Sequence, residues 1–142
     1  MREFVALGVD VTVVTSNSNN LTNTPQFSER ICCENNEGVN LVWLNTLNYN
    51  VAKSLKRIVS WFHFEWNLFR YTLKVSEKPD VIIVSSLSLL TILNGYRLKR
   101  KFKCKLVFEI RDIWPLTIIE EGGVSKNNPF VSFLGWIERF GY

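Results

Sequence analysis

The chain has 142 residues, of which 46% are hydrophobic and 21% charged, and this suits one globular domain rather than a disordered or fibrous chain. Its net charge of +4 is too small to argue for nucleic acid, and no nucleic-acid motif accompanies the basic residues, although the charge is compatible with attraction to an anionic membrane surface. No apolar run reaches the roughly 18 residues of a spanning helix, no signal peptide is recognisable at the start, and three cysteines with a single histidine read as free thiols in a reducing, cytoplasmic protein rather than a disulfide framework or a metal site.

In chain order, residues 1–7 read as the end of a helix, with Gly8 as the residue just past it, where a left-handed backbone favours glycine. Residues 11–15 follow as a strand. An α/β domain normally opens on a strand, so the expectation is that a preceding strand and its turn lie outside these residues. Residues 16–30, rich in Asn, Ser and Thr, read as a polar connector or a binding loop. A second strand is expected over residues 38–44. Cys32 and Cys33 precede it without an assigned role.

The longest helical signal covers residues 53–74. Leu55, Ile58, Val59, Phe62, Trp66, Phe69 and Leu73 recur at helical spacing and form one apolar stripe. At about 100° per residue, Trp61, Phe64, Leu68 and Tyr71 fall on roughly the opposite side. A polar face with Lys56, Ser60, His63, Asn67, Arg70 and Lys74 separates them. A helix in a single layer buries one stripe, so the Trp61–Phe64–Leu68–Tyr71 stripe needs a further partner. Another helix, a second domain or a membrane surface would each serve. His63 reads as a solvent-facing or capping histidine rather than a catalytic one.

Residues 78–80 turn into residues 81–86, whose run of β-branched side chains predicts a strand buried on both faces. Ser85 and Ser86 mark its carboxyl end. They either cap a following helix over residues 87–101 or hydrogen-bond a polyol substrate. A basic cluster from Arg97 to Lys103 complements that helix's dipole. An apolar run, residues 106–110, reads as another buried strand and stops on Arg111 and Asp112. Ligands in open α/β sheets sit just outside the carboxyl ends of the strands. Arg111 and Asp112 are therefore candidates for a functional pair, with a structural ion pair as the alternative. Glu120 and Glu121 follow closely, before Gly122-Gly123. Asn128-Pro129 opens a last helix through Phe130, Phe133, Leu134, Ile137 and Phe140.

Strands alternating with helical signals predict a Rossmann-like parallel sheet flanked by helices. No glycine-rich phosphate loop is present, so no nucleotide or other cofactor is assigned to this chain.

The segments Asp10-Val-Thr-Val-Val-Thr-Ser16, Lys78-Pro-Asp-Val-Ile-Ile-Val-Ser-Ser86 and Phe108-Glu-Ile-Arg-Asp-Ile-Trp-Pro115, with Glu120-Glu-Gly-Gly123 and Gly135-Trp-Ile-Glu-Arg-Phe-Gly-Tyr142, resemble the N-terminal domain of bacterial GT-B glycosyltransferases. The group most similar is retaining family 4, the WbuB-like enzymes of surface-polysaccharide (O-antigen or capsule) assembly. The first two segments are generic for the fold, and the Arg-Asp-Ile-Trp-Pro motif is more specific. The resemblance implies that residues 1–142 are the acceptor-binding half of a GT-B fold, incomplete at both ends, with the first strand and the C-terminal donor domain outside them. It implies a nucleotide-sugar donor, commonly UDP-linked, for the full-length enzyme. The acceptor would be a lipid-linked saccharide at the cytoplasmic membrane face, so peripheral membrane contact is expected and nucleic acid is not a partner. Arg111 would bind acceptor or diphosphate oxygens. Asp112 would orient or help deprotonate the acceptor hydroxyl, Trp114 and Pro115 would shape the cleft wall, and Glu120 and Glu121 would hold sugar hydroxyls or support Arg111. The half alone is expected not to transfer sugar. The competing expectation is a non-catalytic α/β module that binds a partner through an exposed aromatic helix face.

Overall fold

The computed structural model describes residues 1–18, 24–47, 55–86, 88–111, 115–120 and 123–141. The chain forms two compact units, Met1–Leu73 and Lys74–Tyr142, and each is α/β.

The first unit opens with the short helix α1, Arg2–Ala6. The Gly8 N–H donates to the Val5 carbonyl (2.9 Å) and the Val9 N–H to the Phe4 carbonyl (3.0 Å), which closes the helix in a Schellman motif. Gly8 has the expected positive φ of 77°. Strand β1, Val11–Ser16, pairs in parallel with β3, Val39–Leu44. The sequence reading of residues 31–36 missed a strand. β2, Ile31–Asn36, runs antiparallel to β3, so the sheet is mixed, with order β1-β3-β2. The β2–β3 turn is the pair Glu37 and Gly38, both at positive φ (53° and 84°), the pattern of a type I′ hairpin. A Cβ on Gly38 would lie 2.7 Å from a Val5 methyl, so α1 also needs glycine there.

Helix α2, Leu55–Lys74, supplies the apolar cover of this sheet. Val42, Leu44 and Leu68 form the buried cluster, with Val14, Ile31, Phe64 and Tyr71 packed around it. The helix is thus turned opposite to the assignment of its second stripe to membrane or interdomain contact. Leu68, at 6% exposure, and its neighbours Phe64 and Tyr71 face their own sheet, and Trp61 is half-buried beside them. Val59, Phe62, Trp66, Phe69 and Leu73 are the exposed stripe, with Phe62 48% and Trp66 57% exposed. The physical reason lies in the flanks. Small Ser60 and Thr72 border the Leu68 side and are themselves buried. Polar groups on the Ser60 flank also find main-chain partners at the sheet's edge, as described below.

In the second unit, β4 (Val81–Ser85) pairs in parallel with β5 (Lys105–Glu109), and α3 (Thr91–Phe102) connects them. Helix α3 lies close because Gly95 has no side chain. A Cβ there would stand 2.6 Å from a Val84 methyl and 3.1 Å from a Leu106 methyl. The short α4, Leu116–Glu120, precedes α5, Pro129–Gly141. The Phe130 N–H donates to Asn128 Oδ1 (2.9 Å), so Asn128 caps α5 as expected from Asn-Pro. Helix α5 covers the same sheet face as α3. Gly141 meets the Phe108 ring and Ile92, and Phe140 stacks edge-on against Tyr96 with centroids 5.1 Å apart. Val131, Leu134 and Ile137 are buried beneath it.

Both helices use one face, so β4 and β5 are not buried on both faces within this unit. Val81, Ile83 and Val107, which point the other way, are about half exposed, as is Ile110 just past β5. The unbroken apolar runs reflected composition, but a pleated strand with helices on one side keeps only alternate side chains from water.

Candidate functional site

The sequence places its chemistry at the carboxyl ends of β4 and β5, and the structure defines part of that rim. The Ser86 N–H donates to the Glu109 carbonyl (2.9 Å), and Ser86 Oγ accepts the Arg111 N–H (2.7 Å). These bonds extend the parallel pair by one step beyond the strands and fix the main chain at Arg111. The Arg111 side chain is exposed. No carboxylate partner holds it among the described residues.

Ser86 behaves differently from either expectation, and Ser85 from the capping one. Ser86 is 1% exposed and its hydroxyl serves the Arg111 main chain, so it meets no polyol in this conformation. Ser85 Oγ is buried and has no hydrogen-bond partner among the described residues. Neither serine caps α3, whose first turn starts later, after Leu90, without a side-chain cap. Ser86 is a positioning residue for Arg111 instead. Glu120, at the end of α4, is exposed. Asp112, Trp114 and Glu121 lie outside the described residues.

A second constellation escaped the sequence reading. It stands in the first unit, at the carboxyl end of β3, where residues 45–47 leave the sheet. Asn17 Oδ1 accepts the Thr46 N–H (2.9 Å), and Thr46 Oγ1 shares a hydrogen bond with Ser16 Oγ at the end of β1. Asn45 Nδ2 donates to the Phe27 and Glu29 carbonyls, and the Asn45 N–H donates to the Arg30 carbonyl (3.0 Å), which holds the lead-in to β2 alongside. From α2, Ser60 Oγ donates to the Leu47 carbonyl (2.8 Å), Asn67 Nδ2 donates to the Asn45 carbonyl (2.8 Å), and His63 Nδ1 accepts the Leu47 N–H (3.2 Å). Three residues of the polar face of α2, Ser60, His63 and Asn67, therefore form a clamp on the chain leaving β3. His63 is neither free in solvent nor a helix cap. The only local hint was the position of Ser60, His63 and Asn67 on one strip of the helix. Their main-chain partners lie in a different part of the sequence.

Among the described residues no group of three His, Cys, Asp or Glu side chains converges as a metal site would require. Cys32, Cys33 and Cys104 are free thiols. No described helix is long and apolar enough to cross a membrane.

Fold and site together define an α/β protein with parallel strand pairs and polar groups gathered at the strands' carboxyl ends. No protein-family model matches the sequence, no curated protein matches it, and no solved structure matches its fold.

Proposed function

We propose that this chain is the acceptor-binding half of a retaining GT-B glycosyltransferase that moves a sugar from a nucleotide-sugar to a lipid-linked saccharide in bacterial surface-polysaccharide synthesis. The observation that carries this reading is Arg111. It is an exposed cation, fixed at its main chain by Ser86, at the carboxyl rim of a parallel strand pair. A guanidinium there can grip the oxygens of a diphosphate or a sugar in two-pronged fashion. Asp112, next in sequence, takes the role of orienting the acceptor hydroxyl and accepting its proton. Trp114, Glu120 and Glu121 complete the acceptor wall. Donor binding falls outside this chain, so it holds no UDP-sugar and turns none over.

The test is a titration of the chain, in detergent, with a short-chain polyprenyl-diphosphate saccharide and separately with UDP-N-acetylglucosamine. The saccharide lipid binds and the nucleotide-sugar does not. Loss of a charge-assisted contact is worth about 1.5–3 kcal/mol, so Arg111→Ala weakens binding roughly 10- to 100-fold. Binding unchanged in Arg111→Ala, or turnover of the nucleotide-sugar by the chain, would sink the reading.

One observation favours a second reading, a partner-binding module. The exposed stripe Val59, Phe62, Trp66, Phe69 and Leu73 is a large apolar surface on α2. Liposome flotation of a Phe62→Ser/Trp66→Ser variant separates the two. Retained flotation removes the stripe from membrane contact.

A further inference from the structure

A cavity of about 310 Å³ opens where α2 clamps the chain leaving β3, and Arg30, Asn45, Thr46, Leu47, His63, Trp66, Asn67 and Arg70 line it. Its chemistry is one-sided. Two guanidiniums, an imidazole and amide groups face it, and no carboxylate is among the described residues that line it. Neither Arg30 nor Arg70 has an acidic partner among the described residues, and both are exposed.

His63 adds an independent observation. A neutral imidazole accepts at one nitrogen only. The Leu47 N–H is a main-chain donor aimed at Nδ1, so Nδ1 is the acceptor and Nε2 carries the proton. Yet the atom 3.2 Å from Nε2 is the Asn67 amide nitrogen, a second donor. Turning that amide over would not help, because its oxygen would then stand 2.8 Å from the Asn45 carbonyl oxygen. The Nε2–H and one Asn67 N–H are thus left without an acceptor among the described residues, at the edge of the cavity. An oxygen from outside resolves the conflict, accepting from both.

We infer that this cavity binds a phosphate monoester, with Arg30, Arg70, His63 and Asn67 on the phosphate oxygens and Trp66 against the group that carries it. A phosphate dianion matches two guanidinium charges and offers three terminal oxygens to the converging donors, where a carboxylate offers one charge and two oxygens. The volume lies at the lower end of small-molecule pockets, larger than a lone phosphate needs and suited to a sugar-sized ester. Trp66, more than half exposed at the cavity's edge, provides the ring face. The placement just outside the carboxyl end of β3, a strand paired in parallel with β1, is where open α/β sheets take ligands. The inference stands on the first unit alone and does not depend on the transferase reading.

Isothermal titration of the whole chain at low salt tests it, with glucose 6-phosphate, glucose, glucuronate and vesicles with or without phosphatidate as probes. Glucose 6-phosphate binds, and glucose and glucuronate bind at least tenfold more weakly. Added salt weakens the binding, as it does for exposed charges. Arg30→Gln and Arg70→Gln each reduce affinity about tenfold or more with unchanged melting curves, and Arg70→Lys recovers part of the loss. Binding to phosphatidate vesicles with the same arginine dependence assigns the ester to a lipid headgroup, and binding of the soluble ester alone assigns it to a free metabolite. Failure of both esters to bind overturns the proposal, as does equal affinity for glucuronate or binding indifferent to both arginine variants.

Discussion

Truncating one stripe of α2 should clearly destabilise the first unit, and truncating the other should leave its stability nearly unchanged. Leu68 is 6% exposed and sits with Val42 and Leu44 in the buried cluster. Transfer of a buried leucine side chain to water costs about 1.5–3 kcal/mol, and the cavity left behind raises Leu→Ala changes to about 2–5 kcal/mol. For a unit of this size each kcal/mol moves the melting temperature by roughly 4–8 °C. Leu68→Ala should therefore lower it by at least about 8 °C. Phe62 and Trp66, half exposed or more, lie on the opposite side of the same helix, and exposed substitutions usually fall within about 0.5 kcal/mol. Phe62→Ser and Trp66→Ser should shift melting by only a few degrees. Far-UV circular dichroism on heating, repeated in urea to compare midpoints at constant slope, measures both. A stable Leu68→Ala beside an unfolded Trp66→Ser would show that the helix is turned the other way, and the core assignment of the first unit would be wrong.

Further outcomes follow from single contacts. In Gly95→Ala, overpacking of about 1–3 kcal/mol against Val84 and Leu106 outweighs or cancels the roughly 1 kcal/mol that alanine adds to a helix interior, so a clear rise in melting temperature would contradict the close approach of α3. Asn128→Ala removes the cap on α5 and should cost about 1 kcal/mol in urea unfolding, with Asn128→Asp largely neutral. Thr46→Val deletes a buried hydroxyl bonded to Ser16 Oγ and should cost about 1–3 kcal/mol despite its similar shape, and a neutral result would remove Thr46 from the clamp.

What could be read from the sequence was what neighbouring residues decide among themselves. Gly8 ended α1 because a left-handed residue is needed there, and Asn128-Pro129 opened α5 because a side-chain oxygen and a fixed φ suit a first turn. The existence of α2 followed from its period, and strands at β1, β3, β4 and β5 from their apolar runs. The β2–β3 hairpin was also legible, in the Glu37-Gly38 pair between two strand-length segments, but the polar residues of β2 hid it, because an exposed edge strand has little apolar pattern to show.

Tertiary structure decided the rest, and in each case the deciding partner lies far away in the chain. A helix with two apolar stripes has no preferred side until a sheet and its rim offer contacts to one flank, and here Ser60, His63 and Asn67 found theirs on residues 45–47. Composition alone cannot say whether a β-branched strand has helices on one face or two, and α3 and α5 both took the face of Val84, Leu106 and Phe108. Ser86 could cap, bind or brace until the Arg111 N–H arrived beside it. The convergence of Arg30, His63 and Arg70 on one cavity is invisible to any local pattern, since spacing along a chain carries no charge field until folding brings the charges together.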